Sequence, residues 1–135
     1  MEIAIKSDVG QRRTLNEDAA GYFLNTQNVP MIVVCDGIGG HNAGDVASAM
    51  ALSHLGKRWE EESITDTEAA YQWLVKNIQA ENDRIFQKAN QYRELDGMGT
   101  TIVVAVVIDS ELLIANVGDS RAYLYRNFQM KQLTE

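Results

Sequence analysis

The chain predicts an α+β fold layered around an antiparallel sheet. Three observations carry that reading. Short alternating or apolar runs open the sequence, and about fifty residues from Ala43 to Tyr92 then read as two consecutive helices. Three or four further strand-like runs close it. Strands, then helices, then a meander favour a layered antiparallel sheet over a βαβ repeat.

Ile3 and Ile5 alternate with Glu2, Ala4 and Lys6, which predicts a short first strand. A polar loop, SDVGQRRTLNEDAAG, follows and holds Asp8, Arg12, Arg13, Glu17 and Asp18. Tyr22 to Leu24 reads as strand, Asn25 to Asn28 as turn, and Val29 to Cys35 as a buried strand whose early Pro30 is tolerable at its start. Ala47, Ala51, Leu55 and Trp59 then recur at i+4, with Val46 and Met50 beside them, so one helix face runs from about Ala43 to Glu61, with Asn42 as a cap. Thr65-Asp66-Thr67-Glu68 has the form of a capping box and opens a second helix to about Tyr92. Its apolar stripe is Ala70, Leu74, Ile78, Ile85 and Ala89, joined by Trp73 and Phe86 as core aromatics.

Gly97 and Gly99 mark the return to strand. Ile102 to Ile108 is apolar on both faces and therefore expected at the centre of a sheet. Asp109-Ser110 turns into a strand from Glu111 to Val117, and Gly118-Asp119-Ser120 is a second sharp turn. Arg121 to Arg126 alternates, Asn127-Phe128 turns once more, and a last strand spans Gln129 to Leu133.

Bulk properties exclude several classes of function. A net charge of −7 argues against a nucleic-acid backbone as the main partner. Cys35 is the single cysteine, so no disulfide forms within the chain. Its alternation with Asp36 points it into the core as a small buried hydrophobe rather than a catalytic thiol. The N-terminus, MEIAIKSD, lacks the form of a signal peptide, and no apolar run is long enough to span a membrane. The cytoplasm is the expected compartment.

Residues 30 to 48, PMIVVCDGIGGHNAGDVAS, are the centre of the arrangement. An apolar run ends in Asp36, and Gly37, Gly39 and Gly40 follow at once. A carboxylate lifted out of the core beside glycines that bare the backbone suits a hard divalent cation, Mg²⁺ or Mn²⁺, and equally an ordinary Asp-Gly turn. Two more acidic turns, Glu17-Asp18 and Gly118-Asp119-Ser120-Arg121, stand where they can converge with it at one end of a sheet. With Arg13 as a fork for phosphate, these residues make a coherent kit for phosphoryl hydrolysis. HExxH, paired cysteines and a P-loop are all lacking, so zinc proteolysis and nucleotide-cradle chemistry have no support.

Four motifs together carry a specific resemblance. Arg13-x-x-Asn16-Glu17-Asp18, VVCDGIGGH at 33 to 41 with Gly44 beyond, Met98-Gly99-Thr100-Thr101, and Asn116-Val117-Gly118-Asp119-Ser120-Arg121 follow one another in order. In order and spacing they resemble the signature of metal-dependent serine/threonine protein phosphatases of the 2C type, bacterial branch. The resemblance implies a two-layer antiparallel β-sandwich flanked by helices, with a dinuclear Mg²⁺ or Mn²⁺ centre at one edge. By position it implies that Asp36 bridges both metals and Gly37 lends its carbonyl. Glu17 and Asp18 would hold the second metal, Asp119 a third and weaker one, and Arg13 the substrate phosphate. His41 is either a proton donor or flap residue, or belongs to the helix entry. Asp119 also suits a turn with a local ion pair to Arg121, and Arg13 a solvated loop. Implied partners are phosphorylated proteins, targets of a serine/threonine kinase.

Family members run longer than this chain. The resemblance therefore reads residues 1–135 as the N-terminal portion of a single 2C-type domain, incomplete at its C-terminal end. On that reading the fragment alone is weakly active or inactive and prone to self-association. A non-catalytic scaffold version of the same fold is the alternative. A receiver-type phosphoacceptor domain is disfavoured, because it needs alternating strands and helices where this chain has two consecutive helices.

Overall fold

The computed structural model describes residues 1–7, 18–39, 43–118 and 121–134. In chain order its elements are β1 (Asp18–Leu24), β2 (Pro30–Ile38), α1 (Ala43–Glu60), α2 (Thr67–Gln91), a 3-10 turn (Arg93–Leu95), β3 (Gly99–Thr100), β4 (Ile102–Ile108), β5 (Glu111–Val117), β6 (Tyr123–Arg126) and β7 (Gln129–Gln132). The main sheet has the order β1-β2-β4-β5, with β3 also on β2, and every pairing is antiparallel. β6 and β7 form a separate two-stranded sheet. The fold is α+β with antiparallel sheets, as the order of elements predicts.

Alternation along the strands decides what faces the helices. Met31, Val33 and Cys35 of β2 and Val104 and Val106 of β4 are buried on one face. Against them α1 lays Ala47, Ala51, Leu55 and Trp59, one residue per turn and all buried. The small alanines let helix and sheet approach closely, and Trp59 closes the far end. Its indole Nε1 donates to the carbonyl of Val29 at 2.9 Å, and its ring meets Trp73 of α2 edge-on at 5.0 Å. β4 lies between β2 and β5, so the central position expected of its apolar run is realised.

The turn between β1 and β2 is built by Asn25. Its side-chain carbonyl accepts from the N–H groups of Gln27 and Val29, and its amide nitrogen donates to the Ile64 carbonyl at 2.8 Å. One buried amide thus shapes the hairpin and ties it to the α1–α2 connection. α1 and α2 are clasped by the buried Glu81, whose carboxylate meets His54 Nδ1 at 2.5 and 2.6 Å and Arg84 at 3.3 Å. A buried carboxylate is tolerated only with partners of this kind. Nothing in the local pattern of α2 announced it.

Several expectations are corrected. Residues 1–7 form no strand, because none of the described residues pairs with them; Ile3 instead lies near Tyr22 and Leu24 of β1. The second helix is capped by Asp66, not Thr65: its carboxylate accepts from the Ala69 N–H at 2.8 Å, and Thr67 is the first helical residue. Phe86 is 66% exposed, since one step past Ile85 turns a side chain about 100° away from the buried stripe. β2 does not stop at Cys35 but runs on through Asp36, Gly37 and Ile38, because β3 supplies ladder partners for its last two residues. The last two strands are shorter than expected, Tyr123–Arg126 and Gln129–Gln132. The cap assigned to Asn42 lies outside the described residues.

The hairpin joining β6 and β7 turns on Asn127 and Phe128, with φ of 54° and 63°. Asn adopts this left-handed conformation readily, whereas a bulky aromatic pays about 1–2 kcal/mol. Phe128 is also 94% exposed, so it recovers nothing by packing. Phe128→Gly is therefore expected to stabilise the hairpin by roughly 0.5–1 kcal/mol, the strain relieved less the entropy glycine loses on folding. Slower amide exchange along the β6–β7 ladder is the readout; unchanged or faster exchange would refute it.

Candidate metal centre

The turn at Asn25 sets the register of β1 on β2, and that register places Asp18 directly opposite Asp36. Asp36 alternates with the buried Cys35 and Gly37, so its carboxylate lies on the sheet face turned away from the helices. Asp18 is exposed at the start of β1 and Asp36 is half-buried. Like charges directly opposite on neighbouring strands destabilise a sheet unless something positive lies between them. Two carboxylates in that relation, with backbone carbonyls nearby, are an all-oxygen donor set suited to a hard divalent cation. The residues present fit such an ion.

The backbone around Asp36 is held from the neighbouring strand. Thr101 donates its N–H to the Asp36 carbonyl at 2.9 Å, and Asp36 donates its own N–H to the Thr101 hydroxyl oxygen at 3.1 Å. Gly37 pairs with Thr100 and is buried. Gly39, with φ of +150°, then turns the chain into α1. A Cβ there would stand 3.0 Å from the Ala43 Cβ and 3.3 Å from the Met98 Cα, so only glycine fits the approach.

Cys35, one residue before Asp36, is no nucleophile. Its thiol is pushed up to about 12, by burial first, against the lowering effect of a hydrogen bond with Thr100, and with the nearby charge of Glu81 adding to the rise. A thiol so held stays protonated at neutral pH. Arg121 is exposed and donates to the Tyr123 hydroxyl at 3.4 Å.

Of the residues singled out in the sequence, Asp18, Asp36 and Gly37 are brought together at one end of the β1–β2 pair. Arg13, Glu17, His41 and Asp119 lie outside the described residues. Among the described residues no three of His, Cys, Asp and Glu cluster as a metal site. A cavity of about 720 Å³ runs between α2 and β5 past Tyr71, Val75, Phe86 and Ile114. Among the described residues no aspartate or glutamate lines it.

Residues 11–135 match the Protein phosphatase 2C family. Over 136 residues the chain is 46% identical to the serine/threonine phosphatase stp of Listeria monocytogenes, covering 100% of this chain and 54% of that protein. It superposes on the structure of the S. agalactiae serine/threonine phosphatase with a TM-score of 0.95 and 37% identity, over 98% of this chain and 55% of that one. It is also similar, with a TM-score of 0.79 and 32% identity, to the catalytic domain of the phosphatase PstP, solved in complex with 2 manganese ions; that match covers 96% of this chain and 53% of PstP's. The chain spans about half the length of these relatives. Facing carboxylates at the end of an antiparallel α+β sheet, a match over nearly every residue and the kinship with solved phosphatases lead to one conclusion: the chain belongs to the protein phosphatase 2C family.

Proposed function

We propose that these residues are the N-terminal portion of a single 2C-type domain, and that the whole protein hydrolyses phosphoserine and phosphothreonine in proteins. The observation that carries the reading is the facing of Asp18 and Asp36 across β1 and β2 in a chain of this family. Asp36, with the Gly37 carbonyl, Glu17 and Asp18, would hold two divalent cations, Mn²⁺ or Mg²⁺, directly or through water. Asp119 serves a third and weaker position. The 2 manganese ions of the related PstP structure support the number and kind of metal.

Bound there, the cations supply Lewis acidity and make water acidic enough to attack phosphorus at neutral pH. The chain's own residues do the rest. Arg13 pairs with the equatorial phosphate oxygens and orients the group for in-line attack. As the new P–O bond forms and the ester P–O bond breaks, the departing serine or threonine oxygen takes a proton, for which His41 is the candidate donor. The substrates are phosphoproteins made by a serine/threonine kinase, and the cytoplasm is the proposed place of action.

Phosphate release from phosphoserine and phosphothreonine peptides by the whole protein tests this, with Mn²⁺ and with a chelator. Turnover that survives chelation, or phosphopeptide binding without turnover, would overturn it. Arg13→Ala is expected to raise KM about ten- to over a hundredfold at constant kcat. That is the loss of one charge-assisted contact of about 1.5–3 kcal/mol used equally in ground and transition states. Unchanged constants would return Arg13 to the solvated loop.

A further inference from the structure

We infer that Thr101 is a positioning residue of the metal centre, fixing the backbone of Asp36 and packing on Gly118, the residue before Asp119 in the chain. The inference deepens the proposed function and rests on its reading of Asp36 as a metal bridge. Registers across the sheet put four residues in one row: Asp18 faces Asp36, and continuing the pairings of β2 and β5 with β4 places Thr101 between Asp36 and Gly118.

Thr101 interrupts the ladder at that point. In a regular antiparallel pair the two residues exchange N–H···O=C bonds. Here Thr101 gives its N–H to the Asp36 carbonyl, but Asp36 gives its N–H to the Thr101 hydroxyl, while the Thr101 carbonyl accepts from the Thr100 hydroxyl at 2.8 Å. The side chain has replaced its own main chain as the acceptor, and β3 and β4 are separate strands for that reason. Thr101 is 4% exposed, so this bond is shielded from water.

On its other side the same side chain meets Gly118. A Cβ on Gly118 would fall 2.6 Å from the Thr101 Cγ2 and 2.9 Å from its Cβ, and Gly118 has φ of +99°. The threonine methyl is thus packed on the bare Cα of the residue that precedes Asp119 in the chain. Its hydroxyl holds the backbone of Asp36 and its methyl packs on Gly118. Buried groups that orient metal ligands typically change metal affinity or activity ten- to a hundredfold when removed.

Calorimetric titration of Mn²⁺ and steady-state kinetics on the whole protein test the assignment. Thr101→Val keeps the shape and removes the acceptor. It is expected to weaken Mn²⁺ about ten- to a hundredfold and lower kcat by a similar factor with KM for the phosphopeptide held. Thr101→Ser restores the acceptor and is expected to restore Mn²⁺ affinity. A folded Thr101→Val protein with wild-type affinity and kcat overturns the proposal, as does a Ser variant as weak as the Val one. Should the Val variant not fold, amide exchange of the wild-type protein decides: Mg²⁺ should slow the Asp36 N–H more than that of Val33 in mid-strand, and equal protection overturns the proposal. Asp36→Asn separates the two levels. If it stays active, the metal-bridge reading and this inference both fall; if it is inactive while Thr101→Val binds Mn²⁺ normally, only this inference falls.

Discussion

Asp36→Asn is expected to abolish metal-dependent turnover in the whole protein while leaving the fold intact. Asparagine has the same shape and keeps both backbone bonds to Thr101, because those are made by the Asp36 N–H and carbonyl and not by its side chain. What goes is the charge. A group that bridges two cations contributes several kcal/mol to the stabilised transition state, so its loss lowers kcat/KM by about a thousandfold or more. A thermal melt in chelator separates this from a folding defect: it is expected to stay near that of the wild type while phosphopeptide turnover in Mn²⁺ is lost. Near-wild-type turnover with Mn²⁺ would sink the assignment.

Asp36 also shows what was legible in the sequence. Its glycine-flanked position marks a chemical site without any knowledge of the sheet. The facing of Asp18 was not legible: a turn over Asn25–Asn28 alone would set Asp18 opposite Cys35, whereas the loop between β1 and β2 runs over 25–29 and sets it opposite Asp36. β4 and β5 are found at Ile102–Ile108 and Glu111–Val117, as expected, because unbroken apolar and alternating runs leave little choice. The α1 stripe is equally plain.

Tertiary partnerships were not legible. Nothing local to Thr101 says that its hydroxyl will take an N–H from a residue 65 positions away. Nor does the α2 sequence reveal that Glu81 turns inward to His54 while the apolar Phe86 turns out. The strand expected over Ile3 and Ile5 failed for the same reason, since alternation supplies a face but not a neighbour to pair with.

Residues 1–135 on their own are expected to bind Mn²⁺ weakly, turn over little phosphopeptide and self-associate. Among the described residues the helices cover one face of the main sheet. On the other, Tyr22, Leu24, Val34, Ile38 and Leu112 are between 42% and 58% exposed. The strand registers put Tyr22 beside Ile32, and Leu112 beside Val107, so these residues form neighbouring rows and not isolated spots. An apolar face of this kind, with β1 and β5 as the edge strands among the described residues, is a surface that other chains cover when nothing else does. The carboxylates stand on that same face, and two cations need more ligands than these residues supply. Sedimentation should show oligomers that shift with concentration, calorimetry weak Mn²⁺ binding, and the phosphopeptide assay a rate far below that of the whole protein. A monomeric fragment with two tight metals and full turnover would mean that this half of the domain completes the site by itself, and the proposed division of the metal centre between two halves would be wrong.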